Sequence, residues 1–173
     1  MKVLTIISAI FISVFFCTEA FATEPVITVR FANPEYSCAT QKYTVDVEFQ
    51  SNQENVQLFG MNVRFFYEES VLEFYSFGEF AEGYAAVNPY PPTITTGNAA
   101  GGAALFGFSG PQEYLNGAIE KILTSTVVLS VSGWTKLFNV SFQIDDPEAF
   151  NVDAFCPSLI WDLKENGSGG IAA

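Results

Sequence analysis

Leu58-Phe59-Gly60-Met61-Asn62-Val63-Arg64-Phe65-Phe66-Tyr67-Glu68-Glu69-Ser70-Val71-Leu72-Glu73-Phe74-Tyr75-Ser76-Phe77 is the stretch that decides the fold class. Apolar Met61, Val63, Phe65 and Tyr67 alternate with Asn62 and Arg64, the two-residue period of a half-buried strand rather than the three-to-four-residue period of a helix. Glu68-Glu69-Ser70 bends the chain, and a second aromatic run, Val71 to Phe77, reads as the next strand.

Outward from this block the same alternation recurs between turn residues. Val26 to Phe31 predicts a first strand. Tyr43, Val45, Val47 and Phe49 alternate with Thr44, Asp46, Glu48 and Gln50, which predicts a second strand with its acidic side chains in water. Ser51 to Asn55 is a polar turn. Regularity lapses from Ala81 to Gly102, where only Thr93 to Thr96 reads as strand, and resumes at Ala103 to Ser109. Asn116-Gly117 has the signature of a two-residue hairpin turn, because both positions tolerate positive φ; Gln112 to Leu123 is also compatible with one helical turn. Val127 to Val131 is a further apolar run. Trp134 to Ile144 predicts a long strand with Phe138, Val140, Phe142 and Ile144 on one side and Leu137, Asn139, Ser141 and Gln143 on the other. Leu159 to Leu163 is the last strand-like run. Eight or nine strands at this spacing predict an all-β fold, a two-sheet antiparallel β-sandwich of jelly-roll or related type.

Met1-Lys2, the apolar run Val3 to Phe16 and the small-residue site Ala20-Phe21-Ala22 have the layout of a secretory signal peptide. The expected organisation is therefore a signal peptide over 1–22, one sandwich domain over 23–164 and a flexible or truncated tail over 165–173. The mature chain is expected outside the cell or on its surface, without membrane insertion. Its net charge stays at −12, because the signal segment carries one Lys and one Glu. Such a surface repels nucleic acid and anionic lipid. Cys38 and Cys156 remain after cleavage and can form a disulfide in an oxidising compartment, worth up to about 5 kcal/mol on a chain-entropy account; two unpaired thiols are the alternative.

The chain contains no histidine, which removes the commonest general base, the Ser-His and Cys-His nucleophile pairs and most zinc sites. Carboxylates are plentiful, but no motif sets two of them across a cleft as glycoside hydrolysis requires, so a non-catalytic role is expected. No cofactor is expected. Asp145, Asp146, Glu148 and Asp153 offer oxygen ligands that suit calcium, although their spacing departs from an EF-hand loop, and a solvated acidic loop is the plainer reading. Glu68 and Glu69 carry the same choice. Tyr84, Tyr90 and Trp134 lie in or beside loops and offer flat apolar faces with polar edges, suited to stacking on sugar rings or to packing beneath a loop.

Three blocks resemble cohesin modules: Val26-Ile27-Thr28-Val29 with Tyr43 to Phe49, Phe65 to Phe74, and Leu137 to Ile144. The middle block carries the resemblance most specifically; Glu68-Glu69 replaces the Asp-Pro turn usual there. Cohesin-like modules of this kind occur in secreted and surface proteins of Bacteroidetes-type bacteria, within a superfamily that includes carbohydrate-binding modules. The resemblance implies a sandwich that binds a protein partner, a dockerin-type module, on one flat sheet face. It implies Asn62, Arg64 and Phe66 on one outward strand face, and Asn139, Ser141 and Gln143 on another, as one contact surface. A polysaccharide held by the loop aromatics is the alternative ligand.

Overall fold

The computed structural model describes residues 24–87, 91–98, 111–122, 124, 127–144, 155, 157–162 and 171–172. The expected signal peptide, the Ala103 to Ser109 run and the Asp145 to Asp153 cluster lie outside them. Among the described residues ten strands are formed: β1 (Ile27–Ser37), β2 (Lys42–Ser51), β3 (Gly60–Tyr67), β4 (Leu72–Gly78), β5 (Tyr84–Ala86), β6 (Thr93–Asn98), β7 (Pro111–Lys121), β8 (Thr135–Ile144), β9 (Leu159–Trp161) and β10 (Ile171–Ala172). No helix occurs among the described residues.

Two antiparallel sheets result. Sheet A has the order β1-β2-β8-β4, and sheet B runs β10-β3-β7-β5. Short strands share the edges of sheet B: β9 and β10 pair successive parts of β3, while β5 and β6 pair successive parts of β7. Ile171 and Ala172, at the end of the segment read as a tail, thus belong to a sheet.

The alternation at 43–49 does what its period dictates, since Tyr43, Val45, Val47 and Phe49 are all buried. Aromatic rings bridge the layers. Phe31 of β1 meets Phe65 of β3 edge-on at 5.1 Å and stacks on Trp161 of β9 at 4.6 Å. Tyr67 of β3 lies 5.4 Å from Phe142 of β8. Each such side chain, removed from water, stabilises the sandwich by about 1.5–3 kcal/mol before its ordering entropy is subtracted.

Asn116-Gly117 is no turn. Both residues sit inside β7, where Asn116 faces Arg64 on one side and Thr93 on the other, and Gly117 faces Val63. A Cβ built on Gly117 would lie 2.4 Å from the Phe77 ring. The glycine is there because an aromatic from the opposite sheet fills the space a side chain would need, a known use of glycine inside strands. The same strand replaces the helical turn considered for 112–123.

Bulges shape sheet A. One between Ala32 and Glu35 adds Asn33, at φ 49°, and Pro34 to edge strand β1; another between Phe74 and Ser76 pushes Tyr75 outward from edge strand β4. Irregular edges of this kind resist pairing with foreign strands. A third leaves Leu137 without an opposing residue between the Phe138–Val47 and Lys136–Glu48 pairs, and Leu137 is buried beside Phe138, contrary to the outward side expected for it.

Candidate functional site

The outward residues of β3 and β8 do not form one surface. β3 belongs to sheet B and β8 to sheet A, so Asn62, Arg64 and Phe66 lie on one outer face of the sandwich and Asn139, Ser141 and Gln143 on the other. On sheet B, Phe66 is fully buried, covered by Tyr114 of β7 and Ile160 of β9, rather than exposed. Arg64 lies over the Tyr114 ring at 4.1 Å, and its Nε is 2.5 Å from Oδ2 of buried Asp162. An arginine committed to a buried carboxylate and an aromatic face holds sheet B together. Asn62 is exposed and borders a shallow depression with Thr93, Asn116 and Ala118.

The acidic turn is likewise occupied with structure. Glu68 Oε2 accepts a hydrogen bond from the Ser158 backbone N–H, and Glu69 Oε2 accepts one from that of Glu113. Each carboxylate ties the turn to a neighbouring strand or its entrance. Beside them the Tyr67 hydroxyl donates to Glu113 Oε2 at 2.5 Å. Burial, and then the carboxylates around it, push the Tyr67 phenol upward.

Of the three aromatics considered for sugar stacking, Tyr84 is 4 % exposed and donates its hydroxyl to the Leu58 carbonyl at 2.6 Å, so it packs beneath the chain and is not a platform. Trp134 is half-buried under the Arg30 guanidinium, 4.2 Å away. Tyr90 lies outside the described residues. Cys38 is exposed and free, Cys156 lies outside the described residues, and Phe155, its neighbour in sequence, packs edge-on against Tyr43 at 5.4 Å.

Burial raises the Tyr84 phenol as it does that of Tyr67. Folding therefore binds these protons more tightly than the unfolded chain does, where a phenol titrates near 10. The resulting stability is complete below about pH 10 and is lost as pH rises through the raised values. Urea midpoints followed by tryptophan fluorescence are expected to hold up to about pH 10 and then fall, less steeply in Tyr67→Phe; an equal slope in wild type and variant would contradict this.

Sheet A presents the more elaborate outer face. Thr44, Asp46 and Glu48 of β2 point outward, but Glu48 is only 8 % exposed, not solvated as its alternation predicts. Arg30 of β1 grips it through Nη2 at 2.7 Å and Nε at 2.8 Å. Asn33 Nδ2 donates to Asp46 at 3.0 Å, and Lys136 of β8 bridges Asp46 and Glu79, each at 2.6 Å. Desolvation pulls the Lys136 pKa down, but the hydrogen bonds and attraction of Asp46 and Glu79 outweigh it, so the ammonium is held above its ordinary value. These groups make a ladder of alternating charge from β1 across to the end of β4.

Beside the ladder lies a groove of about 330 Å³ whose walls include Glu35, Ser37, Lys42, Thr44, Glu79 and Ser141, with Asn139 among them. Register explains the grouping: Glu35 faces Thr44, Thr44 faces Ser141, Ser141 faces Ser76, and Asn139 faces Gly78. The Thr44 and Ser141 hydroxyls are 3.0 Å apart. Gln143, one row further, donates its amide to the Gln41 carbonyl at 3.0 Å, at the end of the groove. Lys42 rests on the Tyr75 ring, 3.2 Å from its centroid, and so is drawn to one side. The outward positions of Thr44 and Ser141 follow from period alone. Lys42, two residues before Thr44 on β2, shares that face by the same period, whereas Glu35 and Glu79 do not follow from it, because strand neighbours over long sequence separations bring them in.

Among the described residues no group of three or more His, Cys, Asp or Glu is placed to hold a metal ion, and no helix is long and apolar enough to cross a membrane. Compared with known proteins, the chain matches no family model, no curated protein and no solved structure.

Proposed function

We propose that the chain is an exported, non-catalytic recognition module of the cohesin-like kind, which holds an extracellular partner against the outer face of sheet A. The observation that supports this reading best is that face itself. Polar side chains from all four strands converge there, and their charges are already paired within the fold: Glu48 with Arg30, and Asp46 and Glu79 with Lys136. Carboxylates held in this way are poor proton shuttles and good fixed acceptors, so the face is built to present hydrogen-bonding groups in set positions. The charge ladder suits a protein partner, as the resemblance to cohesins implies, and the uncharged side chains of the groove suit a carbohydrate. Sheet B is the weaker candidate, because Arg64 and Phe66 are spent on its own packing.

Placing a long cation on each face in turn tests the assignment. Immobilised wild type, Ser141→Arg and Asn62→Arg, each confirmed folded by its melting transition, are exposed to the extracellular fraction of the source organism. Ser141→Arg is expected to lose at least tenfold of the retained material while Asn62→Arg retains it. Loss on Asn62→Arg alone would move the site to sheet B and overturn the proposal.

A further inference from the structure

Resting on that reading, we infer that the groove on sheet A is a binding site for an uncharged carbohydrate, with the Asn139 side-chain amide as its central hydrogen-bonding group. Asn139 is 5 % exposed, and its side chain lines the groove. Among the described residues no hydrogen bond engages its amide, and the amide atoms are not sealed from solvent, so they are open to a ligand from the groove side. Gly78 secures the position. A Cβ there would come 3.1 Å from Asn139 Oδ1, so the glycine keeps the amide uncrowded.

The rest of the wall fixes the class of ligand. An amide both donates and accepts, and the Ser37, Thr44 and Ser141 hydroxyls do the same, which matches the mixed valency of sugar hydroxyls. Glu35 adds an acceptor. An anionic ligand would face Glu35, Glu79 and a chain of net charge −12, while Lys42 is engaged with Tyr75. A flat apolar ligand would leave these polar groups unpaired. A volume of about 330 Å³ falls at the small end of the roughly 300–1,000 Å³ of small-molecule sites and suits a short stretch of a glycan chain rather than a long run. Tyr84, buried beneath the chain, plays no part in it.

The test is a titration of the ¹⁵N-labelled protein with defined neutral oligosaccharides: tetra- to hexasaccharides of glucan, xylan, mannan and galactan type. At least one is expected to shift the Thr44, Asn139 and Ser141 signals in a saturable way. Asn139→Ala is expected to weaken that binding at least tenfold. Gly78→Ala, which only crowds the amide, is expected to weaken it severalfold with the melting temperature nearly unchanged. No binding by any of these up to about 10 mM, beyond the millimolar range of weak recognition, would overturn the carbohydrate assignment, as would binding indifferent to both variants. Failure of the sugars while Ser141→Arg still abolishes retention of an extracellular protein would sink this inference and leave the proposed function standing. Failure of both would sink the two together.

Discussion

Gly117→Val is expected to abolish or severely destabilise the fold, with a loss of about 3 kcal/mol or more, at the upper end of what overpacking of a filled core costs. The reason is local and steric. Even a methyl group at 117 would stand 2.4 Å from Phe77 Cε2 and 2.9 Å from Cζ. Phe77 cannot swing away cheaply, because its ring is held edge-on by Phe138 at 5.3 Å and by Phe74 at 5.4 Å. Gly117→Ala is expected to fall between wild type and Gly117→Val, and Phe77→Leu to recover part of the loss in the double variant, since it vacates the space the new methyl needs. Chemical denaturation of wild type, Gly117→Ala, Phe77→Leu and the double variant Gly117→Ala/Phe77→Leu gives the coupling directly. A Gly117→Val protein as stable as wild type would show that the two sheets do not approach closely at this point.

The same position marks where the sequence stops being informative. Alternation is a property of one strand, so the inward set of β2, the outward direction of Ser141 and Gln143, and the strand character of 60–67 were all legible. Whether Asn-Gly makes a turn depends on what its flanks pair with. Tyr114-Leu115 and Ala118-Ile119 do not pair with each other; all four lie along β3 in one continuous strand. That partner is more than fifty residues away in sequence, and the dipeptide carries no trace of it. Phe66 shows the same limit: its outward direction was correctly read, but the cover supplied by Tyr114 and Ile160 comes from two other strands. The assignment of β3 and β8 to one surface failed for a topological reason. β8 returns to sheet A between β2 and β4, and local pattern does not distinguish one inner face from the other. Glu48 inverts the lesson, because its exposure was expected from alternation and removed by Arg30 reaching across from β1.

Phe138→Ala is the second large effect, expected at about 3–5 kcal/mol, the usual cost of deleting a buried phenylalanine ring. Phe138 is fully buried, and three rings converge on it: Phe49 at 6.4 Å from the neighbouring strand, Phe77 at 5.3 Å from β4, and Phe80 at 6.2 Å from the chain that leaves β4. Its partners therefore come from two separate stretches of chain, β2 and the end of β4 with its exit, and neither can close the cavity without dragging a strand. A domain of this size is typically stable by only about 5–15 kcal/mol, so the variant is expected to be partly unfolded at 37 °C. Phe138→Leu keeps most of the volume and is expected to lose less than half as much. The comparison also bears on the outer face. Lys136 and Asn139 flank Phe138 on the same strand, so a cavity beneath it loosens both the charge ladder and the groove. Hydrogen exchange at β8 amides is expected to accelerate in Phe138→Ala even at temperatures where the protein remains folded. Unchanged exchange there, with stability lost elsewhere, would show that the aromatic cluster and the outer face of sheet A are energetically separate.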